Sequence, residues 1–349
     1  MQWFWFSLTA LLFWSGSDLF SKIGCCGERD KTAHLKMVVA VGAVMGLHAI
    51  YTLLCKDNIS LTWHVFLTYL PVSLLYILSM ALGYVGLRYI ELSISSPICN
   101  SSGAVVALLY IVTGGLAAFE GASPVMVVGA IVLICGGVIG LGIVEAQEDD
   151  TLRARRQEHA NRKYAKSWLA LCLPVAYCLL DAAGTFSDSM VLDRFRSEFV
   201  QKFMPTELLP ELAGGIPDDL STLSDAAQAF VERMETAAAA TANVAYELTF
   251  VAAGIFCLIF LLRKKEKFTL RMETPKYLGA VCETIGQFFY INAINDDTHV
   301  MLAAPIISSY CVLSAVWAGI FLRERLSWKH YIMIAFVVAG IILLGILDI

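Results

Sequence analysis

Charge is what this sequence has least of. Asp, Glu, Lys and Arg together make up only 16% of its 349 residues, against 58% hydrophobic residues and a mean hydropathy of +0.69. That balance excludes an ordinary soluble globular domain, and with a net charge of −5 it leaves no basic surface for nucleic acid. Catalytic signatures are also missing: there is no phosphate-binding glycine loop, nucleophile elbow, His-Glu zinc motif or dinucleotide fingerprint. The ten cysteines form no C-x-x-C pair and no disulfide framework, so they read as small apolar side chains. The opening MQWFWF has no positive charge ahead of its apolar run and no small-residue cleavage site after it, and reads as a span rather than a leader. From these absences no enzyme, no metal and no cofactor is expected.

What is present is apolar sequence in long windows. Ten stretches of about 18 to 26 residues, each able to cross a hydrocarbon core of about 30 Å, fall near 3–20, 36–55, 64–87, 91–116, 124–144, 167–188, 243–262, 274–294, 298–321 and 329–347. Backbone polar groups inside a bilayer must be satisfied within their own segment, so each stretch is expected to be helical. The expected fold is an all-α membrane protein with ten transmembrane helices. Twenty of the 25 Lys and Arg lie in the odd-numbered loops. The positive-inside rule then puts those loops in the cytoplasm and both termini outside a plasma or inner membrane.

The chain also reads as five helices written twice. Pro97 answers Pro305, Glu120-x-x-Ser123 answers Glu324-x-x-Ser327, and Gly136 and Gly340 each follow their Glu by 16 residues. An odd number of spans per copy turns the second copy upside down, giving two inverted five-helix repeats. Carriers built this way hold substrate at the seam near the midplane and rock one half against the other. A proline-containing helix, then FEGAS or LRERLS, then a glycine-bearing last helix, twice over, resembles the EamA-like members of the drug/metabolite transporter superfamily. The resemblance covers everything except residues 189–242. It implies a ten-helix carrier, commonly an exporter of amino acids, amines or other small metabolites, with a central cavity lined by helices 1, 3, 4, 6, 8 and 9.

The domain organisation expected is a first repeat over 1–150, a cytoplasmic loop and sixth span over 151–188, a helical insert over 189–242, and the remaining four spans over 243–349. In the insert, Leu192, Phe195, Phe199 and Phe203 form one apolar stripe before the turn PELAGGIPDD. A second helix is expected from near Asp218 or Ser221, with a stripe through Leu223, Ala227, Phe230, Met234, Ala237 and Thr241 that runs into the seventh span. Residues 220–262 would then make a rod of about 64 Å. The pair is read either as a cap over the extracellular mouth or as an ornament that never touches substrate.

Charged groups at helix centres cost about 2.5 to 3.5 kcal/mol each on insertion scales, so they face protein or water rather than lipid. Glu283, Gln287 and Tyr290 follow i, i+4, i+7 spacing on the eighth span, with Asn292 toward its outer end. Glu283 falls near the midplane, where a carboxylate that takes either a proton or an ammonium group would make the two compete, the simplest physical basis for antiport. The plainer alternative is a protonated glutamate bonding a neighbouring helix. A second stripe, Tyr177, Asp181 and Thr185, extends to Asp188 on the sixth span. On the first span Trp14, Ser17, Asp18 and Ser21 share a face, but Asp18 precedes Lys22 by four residues and reads first as an interfacial ion pair. Ser93, Ser96 and Asn100 on the fourth span and Ser308, Ser309 and Ser314 on the ninth offer hydroxyls and an amide. Trp14, Tyr76, Tyr84 and Tyr290 could form an aromatic wall favouring cations or flat rings, or simply pack the core. Pro97 and Pro305 are expected to interrupt their helices, and Gly136 with Gly140 to pack the fifth span on the tenth.

The expected function is proton-coupled export, by alternating access, of small organic cations or zwitterions such as amino acids, amines or drug-like cations. Candidate substrate contacts are Glu283, Gln287 and Tyr290; Asp181, Tyr177 and Thr185; Ser96, Asn100 and Ser308; and Trp14 and Tyr76. Glu283 and Asp181 are the candidates for proton coupling. Expected partners are a small-molecule substrate, protons and the lipid bilayer, with a homodimer left open and no nucleic acid. Two alternatives stand beside this: uptake of a neutral metabolite with Glu283 structural, and a non-transporting sensor or assembly protein acting through the insert.

Overall fold

The computed structural model describes residues 2–25, 30–56, 58–89, 92–114, 123–147, 168–212, 214–217, 220–294, 300–322 and 327–347, and among them helix is the only regular structure. The α-helices are α1 (Gln2–Cys25), α2 (Ala33–Cys55), α3 (Trp63–Tyr89), α4 (Leu92–Asn100), α5 (Ser102–Gly114), α6 (Pro124–Ala146) and α7 (Trp168–Phe203). They continue with α8 (Leu209–Leu212), α9 (Asp225–Arg263), α10 (Leu270–Ile294), α11 (Val300–Ser308), α12 (Tyr310–Phe321) and α13 (Trp328–Leu347). Ala33–Cys55, Trp63–Arg88 and Asp225–Arg263 are long and apolar enough to cross a membrane. Their outward faces are apolar as well: Leu47, Leu54 and Phe256 stay exposed, the pattern of helices that meet lipid instead of water.

Two long apolar windows of the sequence are each two helices. The fourth is broken between α4 and α5 and the ninth between α11 and α12, and the breaks, at Ser101 and Ser309, each lie four residues beyond the proline. The expected interruption at Pro97 and Pro305 is therefore displaced by about one turn. The cause is local competition for carbonyls. Asn100 Nδ2 donates to Ser96 O at 2.8 Å and Ser309 Oγ to Ile306 O at 2.6 Å, while Ser101 N and Ser309 N close tight turns on Ile98 O and Ile306 O at 3.3 and 3.1 Å. Ser and Asn side chains that take up these carbonyls favour a turn over continued helix.

The insert is continuous with its flanking helices: α9 runs 39 residues through position 242, as the stripe running into the seventh span implied, and α7 likewise runs 36 residues through position 188 without a break. α9 begins at Asp225, where Ser224 Oγ accepts a hydrogen bond from Ala227 N at 3.4 Å, and a single 3-10 turn at Leu220–Thr222 precedes it. Its length is therefore about 58 Å, somewhat short of the rod the stripe suggested. The two stripes do what their spacing implies: Leu192, Phe195, Phe199, Ala227, Phe230 and Met234 are all buried.

The helices pack in pairs: α1 with α10, α3 with α7, α2 with α9, α6 with α13, α4 with α12 and α5 with α11. The α6–α13 seam has a reciprocal geometry. A Cβ on Gly137 would stand 2.5 Å from Val337 Cγ2 and 2.9 Å from Met333 O, and one on Gly340 would stand 2.7 Å from Ile134 Cγ1 and 2.9 Å from Ala130 O. The glycine that answers Gly340 is thus Gly137, one residue along from the expected Gly136, which has nothing within 4 Å of its would-be Cβ. Among the described cysteines Cys25, Cys99, Cys178 and Cys311 are buried, whereas Cys55 and Cys172 are exposed.

Candidate functional site: an acidic cavity between the broken helices

α1 and α10 lie close because small residues alternate with large ones along their seam. Gly286 of α10 accepts the Trp14 indole so closely that a Cβ there would be 2.4 Å from Trp14 Cδ1. One turn away, Glu283 lies beside Ser17 and Trp14 of α1. Asp18, the next residue on α1, accepts hydrogen bonds from Ser96 Oγ of α4 at 2.6 Å and Ser314 Oγ of α12 at 2.8 Å. Lys22 Nζ meanwhile donates to Leu87 O at 3.0 Å. The expected ion pair between Asp18 and Lys22 gives way to a carboxylate held by hydroxyls from the two broken spans.

Asp181 of α7 is held the same way, by Ser102 Oγ at the start of α5 at 2.7 Å. Tyr76 of α3 and Tyr290 of α10 share a hydrogen bond, and Tyr290 also donates to Thr185 Oγ1 of α7 at 3.1 Å. Trp14 packs against Tyr290 and Tyr310 with ring centroids 5.0 and 5.8 Å apart.

These groups surround one cavity of about 70 Å³, room for several waters or a small polar solute. All eleven residues named as substrate contacts line it: Glu283, Gln287, Tyr290, Asp181, Tyr177, Thr185, Asn100, Ser96, Ser308, Trp14 and Tyr76. The lining comes from the six spans the family resemblance implies, with Tyr246 of α9 added. Ser102, Tyr246 and Tyr310 were missed by sequence reasoning, because a lone tyrosine or serine in an apolar helix carries no periodic signal. Asp18 belongs with the lining too. Asn292 does not line it; its Nδ2 donates to Phe288 O of its own helix at 2.6 Å. The motif positions Glu120 and Glu324 and the Ser93 side chain lie outside the described residues.

Three carboxylates, Asp18, Asp181 and Glu283, line the cavity, and no described lining residue is Lys, Arg or His. Among the described residues Tyr84 Oη and Gln287 Nε2, both in the wall, find no hydrogen-bond partner. Carboxylates, tyrosine faces and unpaired polar atoms together make a surface suited to a small cationic group with its own donors.

Beyond the cavity, where α1, α2 and α10 meet, Lys36 Nζ bonds Asp30 at 2.9 Å and Lys267 O at 2.8 Å, and Lys276 pairs with Glu273 at 3.1 Å. Lys276 also stands 3.6 Å from Asp30. Burial alone pushes the Asp30 carboxyl up, but the hydrogen-bonded Lys36 ammonium, the charge of Lys276 and the Thr32 hydroxyl outweigh it and hold the group below its usual range.

Residues 231–346 match the model of the EamA-like transporter family. They are an EamA-like transporter domain, of the drug/metabolite transporter superfamily. This EamA-like segment takes in α10 to α13 and most of α9, and so contains Glu283, Gln287 and Tyr290. A crystal structure described only as that of a protein aligns over 98% of this chain and 96% of its own with a TM-score of 0.57, at 12% identity. At that identity the likeness is one of fold alone. No curated protein matches the chain. The EamA-like match over this third of the chain, together with three helices long and apolar enough to cross a membrane, points to a membrane protein of the transporter type.

Proposed function

We propose that this protein is a secondary transporter of small organic cations or zwitterions, amino acids and amines among them, which it exports in exchange for protons by alternating access. The observation that carries the reading is the cavity wall of three carboxylates and no described basic side chain. An ammonium group is the complementary ligand, and a proton is its natural competitor for the same oxygens. Glu283 and Asp181 are the carboxylates proposed to exchange the two. The small volume favours a compact solute over a bulky drug.

The architecture proposed is ten spans in two inverted halves, residues 1–150 and 151–349, with the stretch 189–242 inserted in the second. Exchanging the halves maps the pairing of α1 with α10 onto that of α7 with α3, and maps the Gly137 and Gly340 contacts onto each other. Discontinuous helices at matching places, both beside the cavity, support the same reading. Both termini and the insert are proposed to lie outside a plasma or inner membrane.

The test uses purified protein in liposomes loaded with a pH-sensitive dye under an imposed pH gradient, with L-lysine, L-alanine, choline and glucose added in turn. At least one of the first three is expected to drive proton flux and glucose none, and Glu283→Gln to abolish the flux. Unchanged coupling in that variant, or a response to glucose alone, would sink the proposal in favour of neutral-solute transport.

A further inference from the structure

Asp188 of α7 plays no part in the cavity wall, yet it is fully buried. It lies seven residues, about 10 Å, along α7 from Asp181. Its partners are phenols: Tyr69 Oη donates to Oδ1 at 2.6 Å and Tyr76 Oη to Oδ2 at 3.2 Å. Tyr69 is also fully buried and away from the cavity, whereas Tyr76 is in the wall and shares a hydrogen bond with Tyr290. Tyr290 and Tyr76 both reach Thr185 Oγ1, at 3.1 and 3.4 Å. A hydrogen-bonded chain therefore runs from a carboxyl with no face on the cavity to two hydroxyls that line it.

The groups that face this chain are few. α3 supplies Tyr69 and Tyr76, α10 supplies Tyr290, and α9 presents Tyr246 edge-on to Tyr76 at 6.0 Å. Beside Asp188, Ser189 pairs with Tyr110 of α5; Cys99 of α4 faces Asp18 and Asp181, and Asp181 also acts on Tyr76 and Tyr290. Among the described residues no Lys, Arg or His forms an ion pair with Asp188. An isolated buried carboxylate is costly unless it is paired, hydrogen-bonded or neutral.

We propose that Asp188 is a proton-binding site separate from the cavity carboxylates, and that the Tyr76–Tyr290 hydroxyl pair reports its protonation to the cavity. The heavy atoms permit two hydrogen-bond arrangements. With Asp188 ionised, both phenols donate to it. When a proton from water forms an O–H bond on Oδ2, that group donates to Tyr76 Oη, and Tyr76 turns its own hydrogen toward Tyr290 or Thr185. No O–H bond of tyrosine breaks, and loss of the proton to water restores the first arrangement. The cavity thereby presents a different pattern of donors and acceptors in each state, which gives a proton bound outside the substrate's reach a grip on substrate affinity.

This inference rests on the proton-coupled reading above, and two measurements separate their failures. The first is infrared difference spectroscopy of the purified protein between acid and alkaline pH. Asp188→Asn is expected to delete one protonated-carboxyl band, and Tyr76→Phe to keep that band while losing the accompanying tyrosine C–O change. The second follows labelled L-lysine, L-alanine and choline in proteoliposomes. Asp188→Asn is expected to exchange probe for probe at the wild-type rate while gradient-driven movement falls to the level seen without a gradient. Gradient-driven movement at the wild-type level in Asp188→Asn, or identical infrared spectra for the two proteins, overturns the inference. If wild-type protein moves none of the probes with the gradient, the coupled reading fails and Asp188 is judged on the infrared result alone. Should Asp188→Asn not fold, Tyr76→Phe carries both measurements, and a full tyrosine response together with full coupling in that variant overturns the proposal.

Discussion

Placing a methyl group on Gly286 tests the packing that holds Trp14 in the cavity wall. A Cβ there would sit 2.4 Å from Trp14 Cδ1 and 2.7 Å from Nε1, against the 3.4 Å at which ordinary contact begins. The indole must therefore move by about 1.0 Å. Overpacking of this kind costs about 1 to 3 kcal/mol. If Trp14 takes up the shift, it leaves its position against Tyr290 and intrudes on a cavity of only about 70 Å³. Affinity for the probe that most stabilises the wild-type protein should then fall, each tenfold loss corresponding to about 1.4 kcal/mol. The assay is a ligand-dependent thermal shift in detergent, run on Gly286→Ala, on Trp14→Ala and on the double variant. The methyl group should cost much less once the indole is gone, giving a coupling energy of at least about 1 kcal/mol. A single variant with wild-type melting temperature and affinity, or a methyl cost that is the same with and without Trp14, would refute the reasoning.

Other expectations follow from the packing and the ion pairs. Gly340→Ala meets the Ala130 carbonyl and Ile134 on α6 and should lower the melting temperature by an amount corresponding to about 1 to 3 kcal/mol, whereas Gly136→Ala, with open space around it, should leave it unchanged. Asp30→Asn should destabilise the protein at pH 7 by about 3 kcal/mol, since it leaves Lys36 and Lys276 short of a buried partner. Because the folded Asp30 carboxyl titrates below its unfolded value, that stability is present above the unfolded pKa of about 3.9 and is lost as pH falls through the lower folded value. The melting temperatures of wild type and Asp30→Asn should converge in acid, and a gap that stays constant down to that range would contradict the pairing. Ser224→Ala should cost about 1 kcal/mol of local helix stability, read as faster hydrogen exchange in the first turn of α9 with little change deeper in the helix.

The parts of the site legible in the sequence are those where polarity repeats with helical spacing. Glu283, Gln287 and Tyr290 stand out because no lipid-facing stripe would carry them, and Tyr177, Asp181 and Thr185 stand out for the same reason. Asp18 was harder, since its nearest charge in sequence is Lys22 while its hydrogen-bond partners, Ser96 and Ser314, come from two distant spans. The breaks at Ser101 and Ser309 were placed one turn early. Proline is the visible breaker, but the carbonyls are captured by Asn100 and Ser309 side chains further along. The continuity of α7 through residue 188 was hidden because hydropathy falls there without any helix-breaking residue to mark an end. His48 and Glu247, 2.6 Å apart across the α2–α9 seam, escaped notice because the two partners come from windows about 200 residues apart in sequence.

The continuity of α7 and α9 through their spans gives the molecule a lever. At 36 and 39 residues they measure about 54 and 58 Å, some 25 Å more than a hydrocarbon core needs. Their projecting ends are clasped by an Arg196–Glu235 ion pair at 2.6 Å and by the buried Phe195, Phe199 and Phe230, so they turn as one piece. A rotation of the second half by about 10 to 15° would swing the tip by about 4 to 6 Å. The same motion near the pivot would barely register. Such a projection would gear a small angular change at the cavity into a displacement that a pair of spectroscopic labels on the ends of the two helices can read.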